Sequence, residues 1–152
     1  MQQYLVFAVS ITFISWMVGM IINAMIKNQL WYQHLSTINF IESKRVYKWI
    51  GIDGFKWVVK NTPFKFFNPG LTVKGRVTDL EMLRQEMTFA DVSHLIGFVF
   101  VIPFAVFKAI EVSLLSGLVI MIVNVLMNLY PSLLQQQNKK RIDKFIKRSK
   151  RA

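Results

Sequence analysis

The chain is 152 residues long, 53% hydrophobic and 18% charged, with a formal net charge of +11 and no cysteine. Soluble domains hold about 25% charged residues, so a bilayer is the expected solvent for what length suggests is a single unit. Without cysteine there is no disulfide scaffold, no thiolate nucleophile and no cysteine-ligated metal or iron–sulfur centre.

Tyr4 to Ile26 contains no charged side chain. About 20 apolar residues cross a hydrocarbon core roughly 30 Å thick, so residues 4–26 are expected to form the first transmembrane helix. A secretory signal peptide is the competing reading, but the stretch lacks a basic leader, is too long for a signal core and shows no small-residue cleavage site.

Residues 27–93 read as an interfacial region. Arg45 to Lys60 interleaves Val46, Trp49, Ile50, Ile52, Phe55, Trp57, Val58 and Val59 with Lys48, Lys56 and Lys60, the pattern of an amphipathic segment lying on a membrane with aromatic anchors. Gly51 and Gly54 are expected to interrupt it. Phe64, Phe66 and Phe67 followed by Asn68-Pro69-Gly70 read as an aromatic knot ending in a turn. From Arg76 to His94 a helix is expected to lead into the second span, with Thr78 and Glu81 at capping-box spacing and Leu80, Leu83 and Met87 at helical intervals.

The second span is expected over residues 94–110 and the third over 112–134, forming a hairpin whose turn carries Lys108 and Glu111. Pro103 removes one backbone hydrogen bond from the second span and is expected to kink it. After Leu134 the third helix should run on into a basic tail, residues 135–152.

Lys27 to Ser93 holds ten basic and six acidic residues, and the stretch from Gln135 onward eight basic residues against Asp143 alone. Basic residues near membrane ends favour the cytoplasm, which places the N-terminus outside and the C-terminus inside. The expected class is therefore an all-α membrane protein, residues 1–152 as one membrane domain, with three transmembrane helices and a cytoplasmic interfacial amphipathic region. The tail should draw anionic lipids at about 1 kcal/mol per basic residue near the surface. Nucleic acid is not an expected partner, because the chain has no recognisable nucleic-acid motif.

Polar groups within a span are costly unless satisfied, and ionisable ones are candidates for function. At 100° per residue, Asn124, Asn128, Pro131, Gln135 and Asn138 fall within a stripe under about 90° wide, and Glu86, Asp91 and His94 within roughly 140°. Counting residues from the turn puts His94 level with Asn128 to Tyr130, and Glu86 level with Gln135 to Asn138. Two readings follow. Asparagine and glutamine can serve as glue between helices. A histidine near a carboxylate can instead deprotonate a hydroxyl while amide donors stabilise an acyl oxygen. No HExxH, Walker or GxSxG motif is present, and His34, beside Trp31 and Tyr32, reads as an interfacial residue, so no two-histidine metal site is expected.

Glu86, Ala90-Asp91, His94, Asn124, Asn128, Tyr130-Pro131, Gln135, Asn138 and Arg141, with Asn68-Pro69 upstream, resemble the glycosyl-4,4′-diaponeurosporenoate acyltransferase family over roughly residues 42–141. That likeness implies a small bacterial inner-membrane enzyme that places a fatty acyl chain on the sugar of a glycosylated C30 carotenoid. It implies no bound cofactor, an acyl-coenzyme A or acyl-carrier-protein thioester as donor, and membrane lipids with a glycosylated isoprenoid acceptor as partners. His94 would be the base, assisted by Glu86 or Asp91. Asn124, Asn128, Gln135 and Asn138 would hold the acceptor or the acyl carbonyl, and Lys140 or Arg141 the anionic part of the donor. The chain departs from the family pattern where Asp91 replaces glutamate and where Gln136-Gln137-Asn138-Lys139 replaces an Arg-Tyr-Asn-Arg run, because lysine and glutamine lack the bidentate fork of arginine. The rivals are a non-enzymatic membrane scaffold or lipid-binding subunit, and an acyltransferase acting on another membrane lipid.

Overall fold

The computed structural model describes residues 2–62 and 77–150, and these form helices joined by turns and short irregular connections, with no strand among them. Helix α1 is Gln2–Ile26, α2 Tyr32–Ser36, α3 Lys44–Trp49, α4 Ile52–Asn61 and α5 Val77–Glu111. Helix α6, Leu114–Asn124, passes through a π-helical segment, Val125–Leu129, into α7, Tyr130–Ser149. Three stretches are long and apolar enough to cross a membrane: Gln2–Ile26, Asp79–Glu111 and Leu114–Ser149. The aromatic run at Phe64, Phe66 and Phe67, the Asn68-Pro69-Gly70 turn and the Thr78 side chain lie outside the described residues.

Helix α1 buries Ala8, Ile11, Thr12, Ser15, Gly19 and Asn23, a stripe at three- and four-residue spacing. Leu5, Phe13, Met17, Met20, Ile21 and Met25 stay exposed on its other sides. A stripe of small and polar residues toward the bundle with large apolar ones outward is what a lipid environment selects, because lipid tails satisfy leucine as well as a protein core does. At Gly19 an added Cβ would run into the Ser93 backbone carbonyl of α5, and at Gly97 it would meet Ser15 and the Asn128 amide. These two glycines let α1 and α5 approach closely enough for their polar side chains to meet.

Helix α5 is continuous through Pro103, so the lead-in helix and the second span are one rod. At its end Lys108 pairs with Glu111 at 2.7 Å. Ser113 then caps α6 by accepting from the Ser116 amide, and the Ser116 hydroxyl donates back to the Lys108 carbonyl at 2.7 Å.

Val125–Leu129 winds wider than an α-helix, and the Tyr130 amide reaches back five residues to the Val125 carbonyl. Pro131 follows and has no N–H to give. The Met127 carbonyl, four residues before it, accepts from the Trp16 indole at 3.2 Å, so a side chain of α1 satisfies backbone that the wide turn and the proline leave short of donors.

The amphipathic segment over residues 45–60 breaks at Gly51, whose φ of 78° closes α3 and opens α4. Gly54 lies inside α4 and does not interrupt it, because a helix-interior glycine costs only about 1 kcal/mol relative to alanine. Tyr47 and Ile52 of this segment pack on Leu133 and Leu134 of α7, and the Tyr130 hydroxyl donates to the Ile50 carbonyl at 2.6 Å. Trp49 and Trp57 point away, 89% and 67% exposed.

Candidate functional site

Four polar side-chain contacts cross the interior of the bundle at the level of the π-helical segment. The Phe98 carbonyl accepts from Asn124 Nδ2 at 3.0 Å, one residue before the carbonyl that Pro103 deprives of its usual donor. A carbonyl can only accept, so Asn124 must turn its nitrogen to Phe98 and its oxygen the other way. That oxygen accepts from Asn128 Nδ2 at 2.8 Å, and the same nitrogen gives its second hydrogen to Ser15 Oγ at 3.0 Å. Asn128 is thereby left with its oxygen facing His94 Nδ1 at 3.5 Å.

This chain of constraints turns an acceptor toward Nδ1. At 3.5 Å it favours, for the neutral ring, the tautomer with its proton on Nδ1, which leaves the Nε2 lone pair free as a base. Nε2 meets no hydrogen-bonding partner among the described residues, and the ring is half-buried, edge-on to Trp16 with centroids 6.0 Å apart. His94 and Asn128 stand opposite each other at the depth that residue counting from the turn predicts. Two turns along α1, Asn23 Nδ2 donates to the Phe89 carbonyl at 2.7 Å and to Ser93 Oγ at 2.9 Å, tying the first span to the helix that carries the histidine.

The carboxylates go elsewhere. Asp91 sits one turn before His94 and is fully buried, but its oxygens are taken up by α7. Ser132 Oγ donates to Oδ1 at 2.6 Å, Gln136 Nε2 to Oδ1 at 3.1 Å and Lys139 Nζ to Oδ2 at 2.7 Å. The same two α7 side chains reach outward, Lys139 to the Ser36 carbonyl at 3.0 Å and Gln136 Oε1 to the Phe40 amide at 3.1 Å. Asp91 is thus the centre of a buried ion pair that pins the connection between α2 and α3, and the structure does not bring its carboxylate to His94 as a hydrogen-bonding partner. Glu86 is exposed and lies eight residues from His94 on one helix, about 12 Å along its axis. It makes no ion pair among the described residues.

The remaining polar residues of α7 divide by face. Gln135 and Asn138 are buried, and Asn138 is only 2% exposed with both amide atoms unpartnered among the described residues. Lys140 and Arg141 belong to a separate groove, roughly 130° around α7 from the Asp91 contacts. Lys140 Nζ donates to the Ile41 carbonyl at 2.6 Å and lies 5.8 Å from the centre of the Tyr47 ring, while Arg141 is exposed. Lys56, across the groove on α4, has its pKa lowered by burial first and then by the neighbouring charges of Arg141 and Lys60. His34 is exposed on α2 and takes no part in either cluster.

Sequence reasoning missed Ser15, Asn23, Ser93 and Trp16, and passed over Ser132, Gln136 and Lys139 as partners of Asp91. A usable signal existed for the first group: Ala8, Thr12, Ser15, Gly19 and Asn23 of α1 fall on one stripe. For the second, positions 132, 136 and 139 share one helical face.

No curated protein and no solved structure matches the chain. The family model for glycosyl-4,4′-diaponeurosporenoate acyltransferase matches residues 27–148, which takes in His94, the asparagine pair, the Asp91 ion pair and the groove, and leaves out α1. With most of its length matched in this way, the chain belongs to the glycosyl-4,4′-diaponeurosporenoate acyltransferase family.

Proposed function

We propose that the protein is a membrane acyltransferase that esterifies a sugar hydroxyl of a glycosylated carotenoid, or of a similar glycolipid, with a fatty acyl chain taken from a thioester. The observation that carries this reading is the Asn128 oxygen held opposite His94 Nδ1: Phe98 and Asn124 orient that amide as an acceptor, and with the proton on Nδ1 the Nε2 atom is a half-buried base. Nε2 removes the proton of the acceptor hydroxyl as its oxygen attacks the acyl carbonyl carbon. The tetrahedral intermediate then collapses, the carbon–sulfur bond breaks, and the imidazolium returns the proton to the departing thiolate. The products are the sugar ester and the free thiol of coenzyme A or of a carrier protein.

Asn128 has both amide hydrogens committed within the network, so its role is to position His94. Asn138 has an uncommitted and buried Nδ2 but stands ten residues beyond Asn128, about 15 Å along the helix, which supports a role in holding a distal part of the acceptor or donor rather than the reacting oxygen, and Gln135 stands on the same side of α7. Glu86 and Asp91 are not needed as partners of the base. The basic residues of the α7 tail favour an orientation with that end in the cytoplasm and the N-terminus outside, where a cytoplasmic thioester reaches the groove side of the bundle.

The test is acyl transfer in membranes containing the glycosylated acceptor. His94→Gln and His94→Ala should insert normally and lower kcat by about 10² to 10⁴-fold, the usual contribution of a general base. Full activity in either variant would remove His94 from the reaction. If the acceptor is unchanged by the wild-type chain while Asn124 and Asn128 variants lose helix association, the polar seam acts as glue in a non-enzymatic subunit.

A further inference from the structure

The groove between the amphipathic segment and α7 lies apart from the hydrogen-bond network around His94. It encloses about 590 Å³ and is lined by Glu42, Tyr47, Asp53, Lys56, Gln137, Lys140, Arg141, Lys144, Phe145 and Arg148. Five cations face two carboxylates there. Lys140 is turned inward to the Ile41 carbonyl, while Lys56, Arg141, Lys144 and Arg148 form no ion pair among the described residues. The glutamate and aspartate that line the groove leave these four unpaired.

A second observation is independent of charge. Tyr47 is 3% exposed, lines the groove, and its hydroxyl has no hydrogen-bond partner among the described residues. A buried phenol without a partner is costly, on the order of 1–3 kcal/mol, unless something outside the described atoms meets it. Gln137, also lining the groove, has a buried Oε1 in the same condition. Tyr47 has its pKa raised by burial first and then by Asp91, so the phenol remains protonated and available as a donor.

We propose that this groove is a phosphate-binding site at the membrane–water boundary, with Lys56, Arg141 and Lys144 as its cationic wall and the Tyr47 hydroxyl as a donor on its floor. A net excess of three positive charges suits a phosphate better than a single carboxylate, and arginine offers the fork that phosphate oxygens accept. The volume exceeds that of a bare phosphate and leaves room for the group that carries it. Trp49 and Trp57, exposed on α3 and α4, which also carry Tyr47 and Lys56 of the groove, are the aromatic anchors expected at headgroup level. Arg141 is thirteen residues beyond Asn128, about 20 Å along the helix and on a different face, so the site is separate from His94. The phosphate is presented either by an anionic phospholipid or by a water-soluble donor such as coenzyme A.

Binding is measured on the full chain in neutral detergent by isothermal titration calorimetry. The probes are dioctanoyl phosphatidylglycerol, dioctanoyl phosphatidylcholine and coenzyme A. Saturable binding of phosphatidylglycerol but not coenzyme A identifies a lipid headgroup site, the converse identifies a soluble phosphate, and binding of both identifies the phosphate group alone; each supports the site. Affinity should fall as salt rises. It should drop roughly a hundredfold in the Lys56→Gln, Arg141→Gln, Lys144→Gln triple variant. Tyr47→Phe, which removes a hydroxyl with no internal partner and so leaves the fold intact, should weaken binding about fivefold. The site is overturned if neither anionic probe binds, if phosphatidylcholine binds as tightly as the better of the two, or if the triple variant binds like wild type. His94→Gln should bind unchanged, so a failure of the acyl-transfer reading leaves this result intact.

Discussion

Replacing Lys139 with methionine should cost about 3–5 kcal/mol of stability, the price of leaving a buried carboxylate without its cation. Lys139 is 4% exposed and Asp91 fully buried, with 2.7 Å between Nζ and Oδ2. Ser132 and Gln136 would still donate to Oδ1, which holds the loss toward the lower end of that range. Asp91→Asn should cost a similar amount, because it strands the ammonium with only the Ser36 carbonyl. The double variant Asp91→Asn, Lys139→Met removes both charges at once, so its loss should fall well below the sum of the singles, by at least about 2 kcal/mol. The assay is reversible unfolding in mixed micelles followed by tryptophan fluorescence, completed as a double-mutant cycle. Amide exchange across residues 36–41 should quicken in Lys139→Met, since Lys139 and Gln136 hold the Ser36 carbonyl and the Phe40 amide. Additive single losses, or a loss under about 1 kcal/mol for Lys139→Met, would refute the assignment of this pair as the anchor of the α2–α3 connection.

Gly19→Val places a Cβ against the Ser93 carbonyl and should destabilise the α1–α5 contact by about 1–3 kcal/mol, read by the same unfolding assay. Asn128→Leu removes the acceptor that holds the Nδ1 proton and should lower kcat by about tenfold or more with little change in KM, within the range available to a positioned base; a change confined to KM would count against the tautomer argument. Asp143→Ala breaks the pair with Arg84, whose partners are partly solvent-exposed, and should change stability by less than about 1 kcal/mol. Trp16→Phe leaves the Met127 carbonyl without its indole donor and should cost about 1–2 kcal/mol, with faster amide exchange through residues 125–131.

The spans were legible because hydrophobic length is a strong signal, and the meeting of His94 with Asn128 because two helices joined by a short turn rise at equal rates. Periodicity alone could not tell that neither carboxylate stays with the histidine. Asp91 and His94 lie three residues apart and read as one face, yet α7 presents a hydroxyl, an amide and an ammonium to Asp91 and takes it out of reach. Lys139 hid among eight basic tail residues that charge counting treats alike. One of them is buried as a counter-ion while its neighbours Lys140 and Arg141 line a groove. Gly51 and Gly54 carry the same sequence signal, and only the backbone angle at Gly51 separates a break from an ordinary helical position.

The wide turn at Val125–Leu129 sets the rotational phase of everything that follows it. Wound this wide, the segment covers about the rotation and rise of an α-helical stretch one residue shorter, so it absorbs one residue. Were it wound as plain α-helix, α7 would turn by roughly 100° and advance by one position. Pro131, Gln135 and Asn138 would then stand where Ser132, Gln136 and Lys139 now stand. Asp91 would face no ammonium, so the residue taken up in this turn is what gives the buried carboxylate its counter-ion.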